Sequence, residues 1–256
     1  MGGRGATSSS GKMSTMGGGG GAGAQQVQID NTQVASAFSS NYANFMAMSD
    51  DDKADFIAAN IKQGVPVHLA QNDFQRFVYS SGLNEKPDVV DDATLDKMTG
   101  TEMFRTVNNV YDSRNDISYS ADQIAKQVMA GRVTRVSDNG GSVYGRGIYF
   151  ADRYTSSTSY GNTSGNIKKT AVMRAKLNSN ANVINYSKAN AGALNEISRG
   201  TKLGNILRKC DSDSQVSIYA MAKGYNVISS GHGYLNVLNR NAITMSSNVK
   251  TKSSKW

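Results

Sequence analysis

Cysteine is almost missing from this chain. A single thiol, Cys210, stands in 256 residues, which excludes an internal disulfide and a thiolate metal cluster. No apolar run approaches the roughly 20 residues that span a bilayer. No basic-then-apolar leader opens the sequence. Gly2 invites N-myristoylation, but Ala6 stands where that motif wants Ser or Thr. The expectation is a soluble, metal-free protein of the cell interior with no membrane attachment. Proline is confined to Pro66 and Pro87, histidine to His68 and His232, and glutamate to Glu85, Glu102 and Glu196.

Apolar residues make up 38 % of the chain, enough for a core but lean. The opening residues 1–27 are a Gly/Ser-rich stretch that cannot bury enough apolar surface to offset ordering, so a disordered tail is expected there. The net charge of +8 hides an asymmetry. Residues 1–98 carry 7 basic and 11 acidic side chains, a balance of −4, and residues 99–256 carry 21 and 9, a balance of +12. A basic second segment suits an anionic ligand, whether a dinucleotide pyrophosphate or a nucleic acid, or simply aids solubility.

Residues 28–98 read as mostly helical. Ser49 is placed to cap a helix with aspartates in its first turn and Phe56, Ile57 and Ile61 at helical spacing, ending near Gly64. A second helix runs through 68–82, closed by Gly82, and NEKPDVVDD reads as a linker or turn around Pro87. From residue 99 short β-leaning runs follow: TEMFRTVN, GIYFA, KTAVMRAKL, NVINY, YNVIS and GYLNVLNRNAITM. Helices are expected at SADQIAKQVMAG and ANAGALNEISRGTKLGNIL. This pattern predicts an α+β domain over 99–246 with two small, mostly antiparallel sheets, followed by a basic polar tail at 247–256.

The stretch GSVYGRGIYFADRYTSSTSYG, residues 141–161, crowds glycines, tyrosines and hydroxyls around an apolar core. Read as strand, turn and helix, it puts Tyr149 on one strand face and Phe150 on the other. Tyr149 and Tyr160 are spaced to clamp a planar ring, with a serine hydroxyl between them to bond a carboxamide. Gly145 and Gly147 would let backbone approach a ligand. A core strand followed by a polar helix start with ordinary tyrosines accounts for the same residues.

GRGIYFADRYTSSTSY, residues 145–160, resembles the signature G-x-G-I-Y-F-A-D-x-x-[ST]-x-S-x-x-Y of the ADP-ribosyltransferases, in their poly(ADP-ribose) polymerase and diphtheria-toxin-like branch. The resemblance implies a split β-sandwich of two small sheets with flanking helices, preceded here by a helical segment. It implies NAD as a substrate, with Tyr149 stacking on nicotinamide, Ser157 bonding its carboxamide and Tyr160 as the second stacking residue. Gly147, Phe150 and Ala151 fall on the same cofactor-binding strand. An earlier strand should carry His or Arg, and Arg105 in GTEMFRTVN takes that place, with Thr106 offering its backbone to the carboxamide. A late strand should carry a catalytic glutamate. Setting Val237, Leu238 and Asn239 on the family's V-Y-D puts Tyr234 in its position, with His232 and Asn236 as neighbouring polar residues. Glu196 or an aspartate is the alternative replacement.

That departure implies transfer of single ADP-ribose units, with an acidic side chain of the acceptor completing the site. MGGRGA, the helical prefix and AKLNSNANVINY also resemble ADP-ribosyltransferase-like proteins encoded near the head genes of tailed phages. This implies a host-protein acceptor in the bacterial cytoplasm, with virion association as a variant. Two rivals stand beside the enzyme: a fold-retaining binding or virion protein, favoured by the missing glutamate, and nucleic-acid engagement, favoured by the basic segment.

Overall fold

The computed structural model describes residues 41–63, 72–113, 116–132, 143–160 and 170–250. The stretch 1–27, Gly64 and the end of the basic tail, 251–256, lie outside the described residues, as does the side chain of Tyr160.

The first described elements are helical. After a helical stretch at 41–47, helix α1 spans Asp50–Lys62. Ser49 caps it by accepting from the Asp52 amide, and three aspartates in the first turn oppose the positive end of the helix dipole. Helix α2, Asp73–Ser81, starts at Asn72, whose side chain accepts from the Gln75 amide, and closes at Gly82. Strand β1 (Asp88–Val90) and helix α3 (Asp92–Lys97) follow. The segment around Pro87 is therefore more than a linker. Proline ends what precedes it, and the next three residues pair in parallel with the last strand of the sheet, Asp88 opposite Thr244.

Strands β2 (Glu102–Asn108), β5 (Ile148–Ala151), β6 (Thr170–Leu177), β7 (Val183–Asn185) and β8 (Val227–Ser229) fall on the β-leaning runs of the sequence. The last run divides into β9 (Tyr234–Val237) and β10 (Ile243–Ser246) around a 3-10 turn at Arg240–Ala242. The short hairpin β3 (Val110–Asp112) and β4 (Ile117–Tyr119) forms a separate two-stranded sheet. Helix α4, Ala121–Met129, carries a capping box at Ser120. Helix α5 is Tyr154–Tyr160. The expected long helix breaks into α6 (Tyr186–Arg199) and α7 (Lys202–Leu207) because Gly200 turns left-handed, φ 65°. Helix α8, Ser212–Ala222, buries side chains all round and so lacks the amphipathic stripe that would mark it in the sequence.

The architecture is α+β with two sheets, but the sheets are unequal. One holds eight strands in the order β1-β10-β6-β2-β5-β9-β8-β7, and the other is the β3–β4 hairpin. Pairing within the large sheet is antiparallel except at its two edges, β1 with β10 and β7 with β8. Its middle is uneven. Strand β2 pairs with β6 along its whole length, Glu102 opposite Lys176 to Asn108 opposite Thr170, yet meets β5 only at Phe104 opposite Ala151. Two four-strand halves are thus joined by one residue pair.

Two apolar clusters follow from strand alternation. Ile148, Phe150, Leu235 and Val237 join Met103, Val107, Met173 and helix α4 in one. The other gathers Phe45, Ile57, Phe74, Phe77 and Leu83 from the first helices with α6, α7, α8 and Ile228. Among the described residues, no helix is long and apolar enough to cross a membrane.

Candidate functional site

Strand β5 alternates as expected: Phe150 is 1 % exposed in the core, and Tyr149 faces the other side, half-buried. The Tyr149 hydroxyl donates to the Gly145 carbonyl at 2.6 Å and accepts from the Tyr144 amide at 2.8 Å. Burial, with the Asp213 carboxylate adding to it, pushes this phenol well above its ordinary value. The group is neutral at physiological pH and engaged on both sides, so its ring rather than its proton is what a ligand would meet. The Tyr144 ring lies 6.4 Å from that of Tyr149, tilted by 35°, and meets Tyr186 edge-on at 5.4 Å.

The glycines of this loop admit the protein's own side chains. A Cβ on Gly147 (φ 154°) would lie 2.1 Å from Asn236 Oδ1 and 2.8 Å from the Val237 carbonyl oxygen. One on Gly145 (φ 89°) would lie 2.6 Å from Ser217 Oγ. The close approach expected of a ligand is made at these positions by Asn236 and Ser217.

Arg105 lies on β2, 6 % exposed, on the same strand face as Met103 and Val107. Its Nη1 donates to the Tyr149 carbonyl at 3.0 Å. This bond ties β5 to β2 beside the single pair that joins them. The next residue, Thr106, shares a 2.9 Å hydrogen bond with Ser157, which is 4 % exposed on α5. Edge-on contact of Tyr154 with Phe104, ring centres 5.7 Å apart, seats α5 against β2. Ala151 is buried at the β2–β5 contact. The main chain of Tyr160 closes α5.

Strand β9 supplies the remaining side. Its register sets Tyr234 opposite Ala151 and Asn236 opposite Tyr149, so these four residues share one sheet face. Tyr234 is half-buried at the strand's start, next to Gly233, whose carbonyl accepts from the Asp152 amide at 2.8 Å. His232 is exposed in the preceding loop. Asn236 is 1 % exposed, and its amide donates to the carbonyls of Tyr144 at 3.0 Å and Arg146 at 3.3 Å.

The three glutamates are engaged with other residues, while the Asp152 carboxylate lies against Gly233 at the edge of this face. Glu102 bonds Arg174, Glu85 accepts from Asn239, and Glu196 is held between Lys223 and Thr201. The acid whose charge reaches Tyr149 is Asp213, which pairs with Arg146 Nη2 at 3.2 Å. Asp211 faces Arg146 Nε at 3.4 Å. Ser217 Oγ donates to the Arg146 carbonyl at 2.7 Å. This support from α8 was not legible in the sequence, because nothing in SDSQVSIYAMA signals which loop its Asp213 and Ser217 will touch.

Five of the residues singled out by sequence, Arg105, Thr106, Gly147, Tyr149 and Ser157, are thus drawn together through β2, β5 and α5, with Tyr234 on the adjoining strand. No protein-family model, curated protein or solved structure matches the chain.

Proposed function

We propose that this chain is a mono-ADP-ribosyltransferase that takes NAD and passes ADP-ribose to a protein acceptor, releasing nicotinamide. The observation that carries the reading is the convergence of Thr106 and Ser157, 51 residues apart, in one hydroxyl pair beside a β5 strand held by Arg105. A split-sandwich reading of the fold draws support from the near-division of the large sheet between β2 and β5.

In this reading nicotinamide stacks on Tyr149, with Tyr160 as the second ring, and its carboxamide replaces Thr106 as the partner of Ser157. Exchange of one hydroxyl partner for an amide costs little, because the buried oxygen stays satisfied throughout. Arg105 acts through the Tyr149 main chain, fixing the strand against which the dinucleotide lies. The bond from the ribose C1′ to the nicotinamide nitrogen breaks with its electron pair leaving on nicotinamide, and an acceptor nucleophile closes on C1′. Orientation supplies the rate. Tyr234 occupies the late-strand position and offers no negative charge to the developing cation, so an acidic side chain of the acceptor completes the site. The phage-like features of the sequence make a bacterial host protein the acceptor, in the host cytoplasm or delivered with the virion.

The engagement of the glutamates elsewhere favours a second reading, a binding protein that keeps the fold without the chemistry. Nucleic-acid engagement is weaker, because part of the basic segment is matched internally: Lys202 pairs with Asp55, Lys223 with Asp50, and Arg174 with Asp92.

Purified protein incubated with labelled NAD and bacterial lysate tests the enzyme reading. Label should enter a lysate protein with the natural chain and not with Tyr149→Ala. Equal labelling by a folded Tyr149→Ala variant would remove Tyr149 from the site. Neither labelling nor nicotinamide release by the natural chain, with NAD still bound, would leave the binding protein.

A further inference from the structure

The loop at residues 144–147 is the only hydrogen-bonded support of the Tyr149 hydroxyl among the described contacts, through the Tyr144 amide and the Gly145 carbonyl. Whatever places that loop places the ring. The loop is in turn held from outside. Its Tyr144 and Arg146 carbonyls both accept from Asn236 Nδ2, at 3.0 and 3.3 Å, and Ser217 Oγ adds a 2.7 Å bond to the Arg146 carbonyl. Asn236 also stands directly across the β5–β9 ladder from Tyr149.

We propose that Asn236 is a positioning residue of the nicotinamide site, setting the 144–147 loop and through it the plane of the Tyr149 ring. The inference rests on the reading of Tyr149 as the stacking residue. The chemistry requires this side chain. Both atoms to be held are carbonyl oxygens, so the holder must donate twice, and a primary amide offers two N–H groups on one nitrogen. An aspartate would turn a carboxylate on those same oxygens, and an alanine would leave the Tyr144 carbonyl without this donor and the Arg146 carbonyl with Ser217 alone. The fit is closed on the other side as well. Asn236 Oδ1 is buried, has no hydrogen-bond partner and lies against Gly147, where no Cβ has room. The late strand thus presents, opposite Tyr149 and two residues beyond Tyr234, an amide that builds the ring platform.

A ring platform acts in the ground state as much as in the transition state, so its loss should weaken binding more than turnover. The test uses the full chain labelled with [13Cζ]tyrosine, as the natural sequence, Asn236→Ala and Ser217→Ala. The Tyr149 resonance is identified by its disappearance in Tyr149→Phe. In Asn236→Ala the KM for NAD should rise about tenfold with kcat changed by less than about threefold, as expected for two weakened carbonyl contacts. The Tyr149 13Cζ resonance and its titration should shift from those of the natural chain. A folded Asn236→Ala protein with unchanged KM and unchanged Tyr149 titration overturns the proposal. Should Asn236→Ala fail to fold, Ser217→Ala carries the test: smaller changes in the same direction support the loop as the platform's support, and none at all overturns it. Should the natural chain release no nicotinamide, the enzyme reading falls, and the Tyr149 titration alone decides whether Asn236 sets the ring.

Discussion

Glu85 sits between α2 and β1, 3 % exposed, with a carboxylate oxygen accepting from Asn239 Nδ2 at 3.1 Å. Burial pushes its carboxyl from 4.5 up to about 7, against the opposing pull of Asn239 and Asn241. A raised acid means that the fold disfavours the ionised form. Stability linked to Glu85 is therefore complete below the ordinary carboxylate range and is lost as pH climbs from 4.5 through about 7. Glu85→Gln keeps the oxygen that serves Asn239 and cannot ionise. Its melting temperature should match the natural chain at pH 4.5 and exceed it at pH 8, the difference reflecting on the order of 3 kcal/mol. Equal melting temperatures at both values would show that Glu85 is solvated. Nothing in the sequence marks this group, since one glutamate two residues before a proline looks like any loop residue. Tyr149 and Ser157 were legible because a sixteen-residue pattern fixed their spacing. Asn236 stood among the polar candidates, but its importance depends on register, which only the pairing of β5 with β9 supplies.

The seam between β2 and β5 has a measurable signature. Seven residue pairs join β2 to β6, whereas one pair and the Arg105 bond join β2 to β5. Native-state hydrogen exchange should find the β2 and β6 amides that bond each other protected at least about tenfold more than amides at the β5 seam. Equal protection would mean that the halves open as one unit. The strands themselves were readable because alternation and turn residues mark them, as in GIYFA and KTAVMRAKL. Elements that broke the rule were missed. β1 is three residues long and follows a proline, so in the sequence it reads as a linker or turn. α8 lacks an amphipathic stripe because Ser214 and Ser217 are buried along with Val216, Ile218, Ala220, Met221 and Ala222. Gly200 split one expected helix by adopting a backbone conformation that a propensity argument does not weigh.

The first helices and the rest of the chain share a single apolar cluster, in which Phe45, Ile57, Phe74, Phe77, Val78 and Leu83 meet Leu207, Val216, Ile218 and Met221. A fragment of residues 99–256 would expose that face and lose β1. Six large side chains at about 2 kcal/mol each rival the whole stability of a typical domain. The fragment should bind a hydrophobic dye and melt without a cooperative transition, whereas a sharp transition would show that the second segment folds alone. The opposite charge balances of the two segments, visible in composition, meet in the ion pairs Lys202–Asp55 and Lys223–Asp50. Which residues pair was not visible, because composition carries no distance. The large sheet also ends in strands of three residues on both sides, β1 and β7. A foreign strand docking on either would find room for only two or three backbone bonds, too little to offset the ordering of its own chain. Neither edge of the large sheet therefore offers a long template for chain-to-chain pairing, and fibrous assembly through that sheet would have to begin by tearing it open from within.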